Sequence, residues 1–81
     1  MTFYVYIIEC EDGSFYTGQT NSIQRRMSEH RAGEGARYTK YRRPITLRYV
    51  EEVDTRDEAL EREQQIKNKS HDGKASLCSL E

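Results

Sequence analysis

The sequence predicts an α+β fold, a three-stranded and mainly antiparallel sheet flanked by helices in the order ββαβα. Three observations carry this. Phe3–Glu9 and Phe15–Gly18 are rich in aromatic and β-branched residues and are joined by an Asp12-Gly13 turn signal. Two stretches, 21–30 and 55–69, have helical spacing behind capping residues. Between them Leu47–Val53 reads as a third strand. At 81 residues the chain is long enough for one domain.

The first two strands form a hairpin whose register decides which side chains meet. A two-residue turn at 12–13 would send Tyr6 and Tyr16 to opposite faces. A three-residue loop, 11–13, with Gly13 in the left-handed region sets Ile8 opposite Tyr16 and Tyr6 opposite Gly18. Side chains alternate with period two, so Tyr4, Tyr6, Ile8 and Tyr16 then share one face. Phe3, Val5, Ile7 and Phe15 form a wholly apolar face suited to a core. This clean segregation favours the three-residue loop. It places two phenols diagonally across the ladder, opposite a glycine of the kind that admits a ligand or simply ends a strand.

Asn21 is placed to cap the first helix. At 3.6 residues per turn, Ile23, Met27, Arg26 and His30 fall on one side of it, with Arg26 and His30 as neighbours. A charged group beside Ile23 and Met27 needs a partner. A guanidinium matches phosphate oxygens in geometry, and an imidazole binds phosphate or relays a proton near neutral pH. A boundary histidine with satisfied nitrogens is the plainer alternative.

Gly33-Glu34-Gly35 ends that helix, 36–41 has the character of a short helix or turn, and Pro44 stops any helix there. Arg37, Tyr38, Lys40, Tyr41, Arg42 and Arg43 interleave phenols and cations; such phenols stack on bases or serve packing. Thr55-Arg56-Asp57-Glu58 is a capping box opening a helix near Asp57 that runs to about Lys69. Its apolar residues are Ala59, Leu60 and Ile66, and Glu63 lies on their stripe, while Glu58 and Glu61 point outward. An inward carboxylate needs a partner, either a hard cation or an ion pair with Arg26. The tail after Lys69 has room for one more short helix.

Charge and cysteine usage narrow the function classes. The net charge of −1 argues against a general nucleic-acid coating protein, yet residues 24–48 hold eight Lys/Arg against two acids. Arg25, Arg26, Arg37, Lys40, Arg42 and Arg43 belong to this basic stretch, which suits one phosphate-facing side. No apolar run spans a membrane, and the N-terminus has no signal-peptide pattern. Cys10 and Cys78 have no metal-type spacing and read as free thiols of a cytoplasmic protein.

Residues 4–30 resemble the GIY-YIG nuclease superfamily. Tyr4-Val5-Tyr6 stands where the first strand motif would be and Tyr16-Thr17-Gly18 where the second would be. Arg26 lies eight residues past Gly18 and His30 twelve past it, offsets that carry function in the family. The resemblance extends over nearly the whole chain and is strongest to small, stand-alone members. It implies an endonuclease that hydrolyses DNA with one Mg²⁺ or Mn²⁺. Glu63 matches the family's metal glutamate and Arg26 the charge-stabilising arginine. Tyr6 matches the group that deprotonates or orients water, with Tyr16 and His30 positioning water or phosphate. Tyr4 departs from the motif's glycine, and Gln19 stands where some members have a lysine that assists the base, so slow catalysis is expected. The rival expectations are a module that holds branched or single-stranded nucleic acid without cutting it, and an interaction domain whose site is a relic. A protein partner supplying target choice is a further expectation.

Overall fold

The computed structural model describes residues 2–43 and 45–79; the helix stop expected at Pro44 lies outside the described residues. The elements are β1 (Phe3–Cys10), β2 (Phe15–Thr20), α1 (Ile23–Arg31), α2 (Arg37–Lys40), β3 (Ile45–Val53), α3 (Arg56–Lys67) and α4 (His71–Cys78). The three strands form one antiparallel sheet in the order β2-β1-β3. This is the expected ββαβα arrangement with two additions, the one-turn α2 and the tail helix α4. The third strand begins at Ile45, two residues before the expected start, and α3 runs from Arg56 to Lys67 rather than to Lys69.

The hairpin uses the three-residue loop. Gly13 has φ +83°, its N–H donates to the Cys10 carbonyl at 2.9 Å, and the Cys10 N–H donates to Ser14 at 2.9 Å. Asp12 Oδ1 accepts the Ser14 N–H at 3.0 Å, an Asx turn that fixes the same bend. Ile8 consequently faces Tyr16, and Tyr6 faces Gly18. On the other side of β1 the pairing with β3 shifts between Ile7 and Ile8, where Ile7 faces Tyr49 and Ile8 faces Leu47. Arg48 is the extra residue of this bulge, and its guanidinium pairs with Glu9.

Alternation along the central strand divides the core in two. Val5 and Ile7, flanked by Phe3 and Phe15, lie under Ala59, Ile66 and Cys78 of α3 and α4. Tyr6, Ile8 and Cys10, with Tyr16, lie against Ile23 and Met27 of α1 and Tyr38 of α2. One apolar layer is therefore a conventional core, and the other is built around tyrosines.

Two local expectations are corrected. Ser22, not Asn21, caps α1: the Thr20 hydroxyl accepts the Ser22 N–H at 3.1 Å and holds Ser22 extended, so the Ser22 hydroxyl receives the Arg25 N–H. Asn21 instead receives the Arg25 guanidinium at 2.9 Å. Leu60 is exposed, at 43%, whereas Ala59 and Ile66 are fully buried. Ala59 and Ile66 are seven apart and share a face, while Leu60 is turned about 100° from Ala59. Glu63, midway between the two buried residues, stays on the inward stripe with a side chain 17% exposed.

The hairpin loop yields a direct test. A Cβ at Gly13 would meet nothing within 4 Å, so Gly13→Ala carries only the backbone penalty of the left-handed region, about 1–2 kcal/mol. Denaturant unfolding should show that loss, and Gly13→Asn should recover part of it, because asparagine tolerates this conformation better.

Candidate active site

The centre of the site is a buried chain of hydrogen bonds from β1 through α1 to α2. Tyr6 and His30 are both fully buried, and the Tyr6 hydroxyl meets His30 Nε2 at 2.9 Å. His30 Nδ1 meets the Thr39 hydroxyl at 2.8 Å, and that hydroxyl donates to the Ala36 carbonyl at 3.2 Å. Thr39 has one proton, and giving it to Ala36 leaves its oxygen to accept from His30. The network thus assigns the Nδ1–H tautomer, which leaves Nε2 as the acceptor of the Tyr6 proton.

Two glycines make room for this pair. A Cβ at Gly18 would strike the Tyr6 phenol, lying 2.6 Å from Cζ and closer still to the hydroxyl. The space beside Gly18 is therefore filled by the chain's own tyrosine. A Cβ at Gly35 would lie 2.6 Å from His30 Nδ1 and 2.9 Å from its backbone nitrogen. The Gly35 carbonyl also accepts Arg26 Nη2 at 2.7 Å. Sequence reasoning took Gly35 only as loop punctuation and did not single out Thr39. The offset of Thr39 from His30 gives no helical signal across an intervening loop.

Tyr16 stands beside the pair, its ring 6.5 Å from Tyr6, 5.4 Å from His30 and 5.9 Å from Tyr38. The Arg42 guanidinium lies 4.0 Å from the Tyr38 ring centroid. Tyr38 is thus held between Tyr16 and Arg42 and is partly buried. Arg42 also pairs with Asp12 at 3.2 Å and donates to the Tyr38 carbonyl, clasping the hairpin loop to α2. Arg43 donates to the Arg31 carbonyl. Arg37 and Lys40 are exposed on α2, and Tyr41 beyond it is 73% exposed with the Lys40 ammonium 5.5 Å from its ring.

Arg26 is aimed by Glu29 at 2.9 Å and by Gly35. Burial works against its charge, but the bonds with Glu29 and Tyr6 outweigh this and raise its pKa, so it stays a cation. Burial pushes Tyr6 up to about 12, with Tyr16 and Glu63 adding to the rise and Arg26 opposing it. Burial and the Arg26 charge together lower His30 to about 4. At neutral pH both members of the pair are therefore uncharged. His30 is enclosed and bonded through both nitrogens, so it touches a ligand only through Tyr6.

Glu63 lies close enough to add to the rise in the Tyr6 pKa, yet its ion pair is with Lys67 at 2.9 Å. The ion pair expected between Glu63 and Arg26 is absent among the described residues: Arg26 takes Glu29, three residues along its own helix. No three His, Cys, Asp or Glu side chains converge as a metal cage among the described residues. Glu63 alone offers one carboxylate, and a hard cation such as Mg²⁺ commonly takes only one or two, completing its sphere with water and substrate oxygens.

Arg26 also lines an open cleft of about 390 Å³ with Gln19, Asn21, Arg25 and Arg56. Arg56 was not singled out by sequence reasoning. Its signal was a cation on the first residue of a helix, where the macrodipole disfavours positive charge.

The family model for the GIY-YIG catalytic domain matches residues 2–75. The chain belongs to the GIY-YIG family. A UPF0213 protein of Halobacterium salinarum is 51% identical over 74 residues, 91% of this chain and 96% of that protein. A UPF0213 protein of Staphylococcus saprophyticus is 50% identical over 76 residues, 94% and 93% of the two chains. The solution NMR structure of a UPF0213 protein from Bacillus halodurans superposes with TM-score 0.64 at 42% identity, covering 100% of this chain and 86% of that one. A second NMR structure, from E. faecalis, gives TM-score 0.67 at 34% identity, covering 99% and 85%. In this GIY-YIG domain the two name motifs are the paired strands that set Tyr6 against Gly18 and Tyr16 against Ile8. No helix among the described residues is long and apolar enough to cross a membrane.

Two outcomes are expected. Gly35→Ala should destabilise the fold by about 1–3 kcal/mol, because a methyl group there meets both the ring and the backbone of His30; thermal or urea unfolding measures it. The lowered His30 pKa means that the unfolded chain binds a proton more readily than the folded one between about pH 6.5 and 4. The contribution of this buried neutral imidazole is complete above about 6.5 and is lost as pH falls through about 4. Urea midpoints measured across this window should fall with pH, and the fall should shrink in His30→Gln.

Proposed function

We propose that the protein is a divalent-metal-dependent endonuclease that hydrolyses DNA phosphodiester bonds and selects DNA by its structure, in the service of repair or recombination. The observation that supports it most is the gathering of Tyr6, Tyr16, Arg26 and His30 around one point, with Glu63 near enough to act on the Tyr6 pKa. In this reading Arg26 binds the scissile phosphate and stabilises the charge that grows on it. Tyr6 orients the attacking water and takes its proton as its own passes to His30 Nε2, the free acceptor of the assigned tautomer. Thr39 and Ala36 hold the imidazole in that tautomer. Tyr16 walls the site beside both rings. Glu63 would hold Mg²⁺ or Mn²⁺, which when bound supplies charge stabilisation for the leaving oxygen. The exposed cations Arg25, Arg37, Lys40 and Arg43 contact the backbone of the DNA, and a protein partner supplies further target choice.

A second reading, a nucleic-acid-binding module without cleavage, is favoured by one feature. The charge of Glu63 is already met by Lys67, and Tyr6 is buried with a raised pKa, so the site at rest is not poised for proton removal. Binding of phosphate to Arg26 has to redistribute these partners before Tyr6 can meet water.

Glu63→Gln separates the two. Labelled branched, single-stranded and duplex DNA would be incubated with pure protein in Mg²⁺ or in EDTA. The nuclease reading expects metal-dependent cleavage that drops at least about 10²-fold in Glu63→Gln, on the scale of losing one electrostatic contact to the transition state. Binding in EDTA should change little in that variant, while Arg26→Ala should lose both cleavage and affinity. Wild-type protein that binds all substrates and cuts none under any metal would leave the binding module as the function.

A further inference from the structure

We infer that the open cleft beside Arg26 is a subsite for one nucleotide unit of the bound strand, with Arg25 and Arg56 gripping the phosphates that flank it. The inference rests on the nucleic-acid reading above but not on cleavage. Cations reach this cleft from two helices that are distant in sequence. Arg25 and Arg26 come from α1, Arg56 is the first residue of α3, and Gln19 and Asn21 supply amides from the end of β2 and the turn that follows. Its volume of about 390 Å³ lies at the small end of ligand pockets, which run to roughly 300–1,000 Å³ and bury most of their occupant.

The charge of the lining points to the chemistry of the occupant. Three arginines face one carboxylate, Glu29, and Glu29 is already bonded to Arg26. Arg25 spends one guanidinium nitrogen on Asn21 Oδ1, which aims the fork while leaving its other donors open. Arg56 is exposed and makes no ion pair or side-chain hydrogen bond with the other described residues. A cation with no partner, placed where the helix dipole opposes it, gains nothing for the fold. It gains a role if the cleft receives an anion, because the N-terminus of α3 then adds its own attraction. A nucleotide unit within a strand carries a phosphodiester on each side, and the spread of Arg25 and Arg56 over two elements suits two separate charges better than one. Arg26 belongs to both the cleft and the Tyr6 centre, so a unit seated here lies next to the phosphate that Arg26 would bind. Arg56 is in this sense a positioning residue for the strand.

The probe is thymidine 3′,5′-bisphosphate, titrated into the ¹⁵N-labelled full chain in EDTA, with inorganic phosphate as the comparison. The bisphosphate should move the amide signals of Gln19, Asn21, Arg25 and Arg56, and bind at least tenfold more tightly than inorganic phosphate. Arg56→Ala should weaken the bisphosphate about tenfold with unchanged unfolding midpoint, and Arg56→Lys should restore part of the loss. With single-stranded DNA, Arg56→Ala should flatten the plot of log K against log salt by about 0.7, the change for one phosphate contact. Shifts absent from these amides at millimolar bisphosphate, or equal affinity in Arg56→Ala, would overturn the subsite. Bisphosphate bound here by a protein that never cuts DNA would end the nuclease reading and leave the subsite standing. Metal-dependent cleavage with no bisphosphate effect would do the reverse.

Discussion

The hydrogen bond between the Tyr6 hydroxyl and His30 Nε2 is the constraint around which the rest of this structure is arranged. It buries two polar rings completely in a chain of 81 residues, which has little apolar surface to offset an unpaired group. Each end of the bond is therefore satisfied elsewhere. Thr39 closes the histidine end and reaches the fold through Ala36. Gly18 and Gly35 give up their side chains so that the two rings fit. The hairpin loop around Gly13 sets the register that puts Tyr6 opposite Gly18 in the first place.

The same burial sets the electrostatics. A phenol raised to about 12 and an imidazole lowered to about 4 form a neutral pair beside a guanidinium that remains charged. This combination leaves the proton on the phenol and the charge on Arg26. The raised phenol is a poor proton donor to solvent, but within the pair the proton has a defined acceptor on Nε2. Lys67 plays a comparable part at Glu63, pairing with a carboxylate that is largely turned inward. The Lys67 side chain of that pair is 46% exposed, and ion pairs open to solvent contribute little to stability.

The basic segment shows how similar residues part company in three dimensions. Arg42 is spent on the fold, tying Asp12 and Tyr38 together, and Tyr38 is enclosed between Tyr16 and that guanidinium. Arg37, Lys40 and Tyr41, from the same stretch, remain exposed. Arg56 lies outside the segment altogether, yet it lines the cleft with Arg25 and Arg26. Counting cations along the chain locates a basic side only coarsely, because folding both neutralises members of the run and recruits others from afar.

The sequence by itself determined the strand faces, the left-handed loop glycine, the capping of α3 by Thr55, and the positions of Tyr6, Tyr16, Arg26, His30 and Glu63 on their elements. These follow from rules acting within a few residues, the two-residue period of strands, the 3.6-residue period of helices and the conformational freedom of glycine. It misplaced the α1 cap and the Leu60 side chain, where two adjacent residues competed for one position and a Thr20 hydrogen bond in the first case, packing in the second, chose between them. Only the tertiary structure decided that Gly18 yields to Tyr6, that Thr39 and Gly35 fix His30, and that Arg56 joins Arg25 and Arg26. Each of these depends on where elements distant in sequence come to rest against one another, and on which buried polar atom takes which partner. Local periodicity carries no record of either.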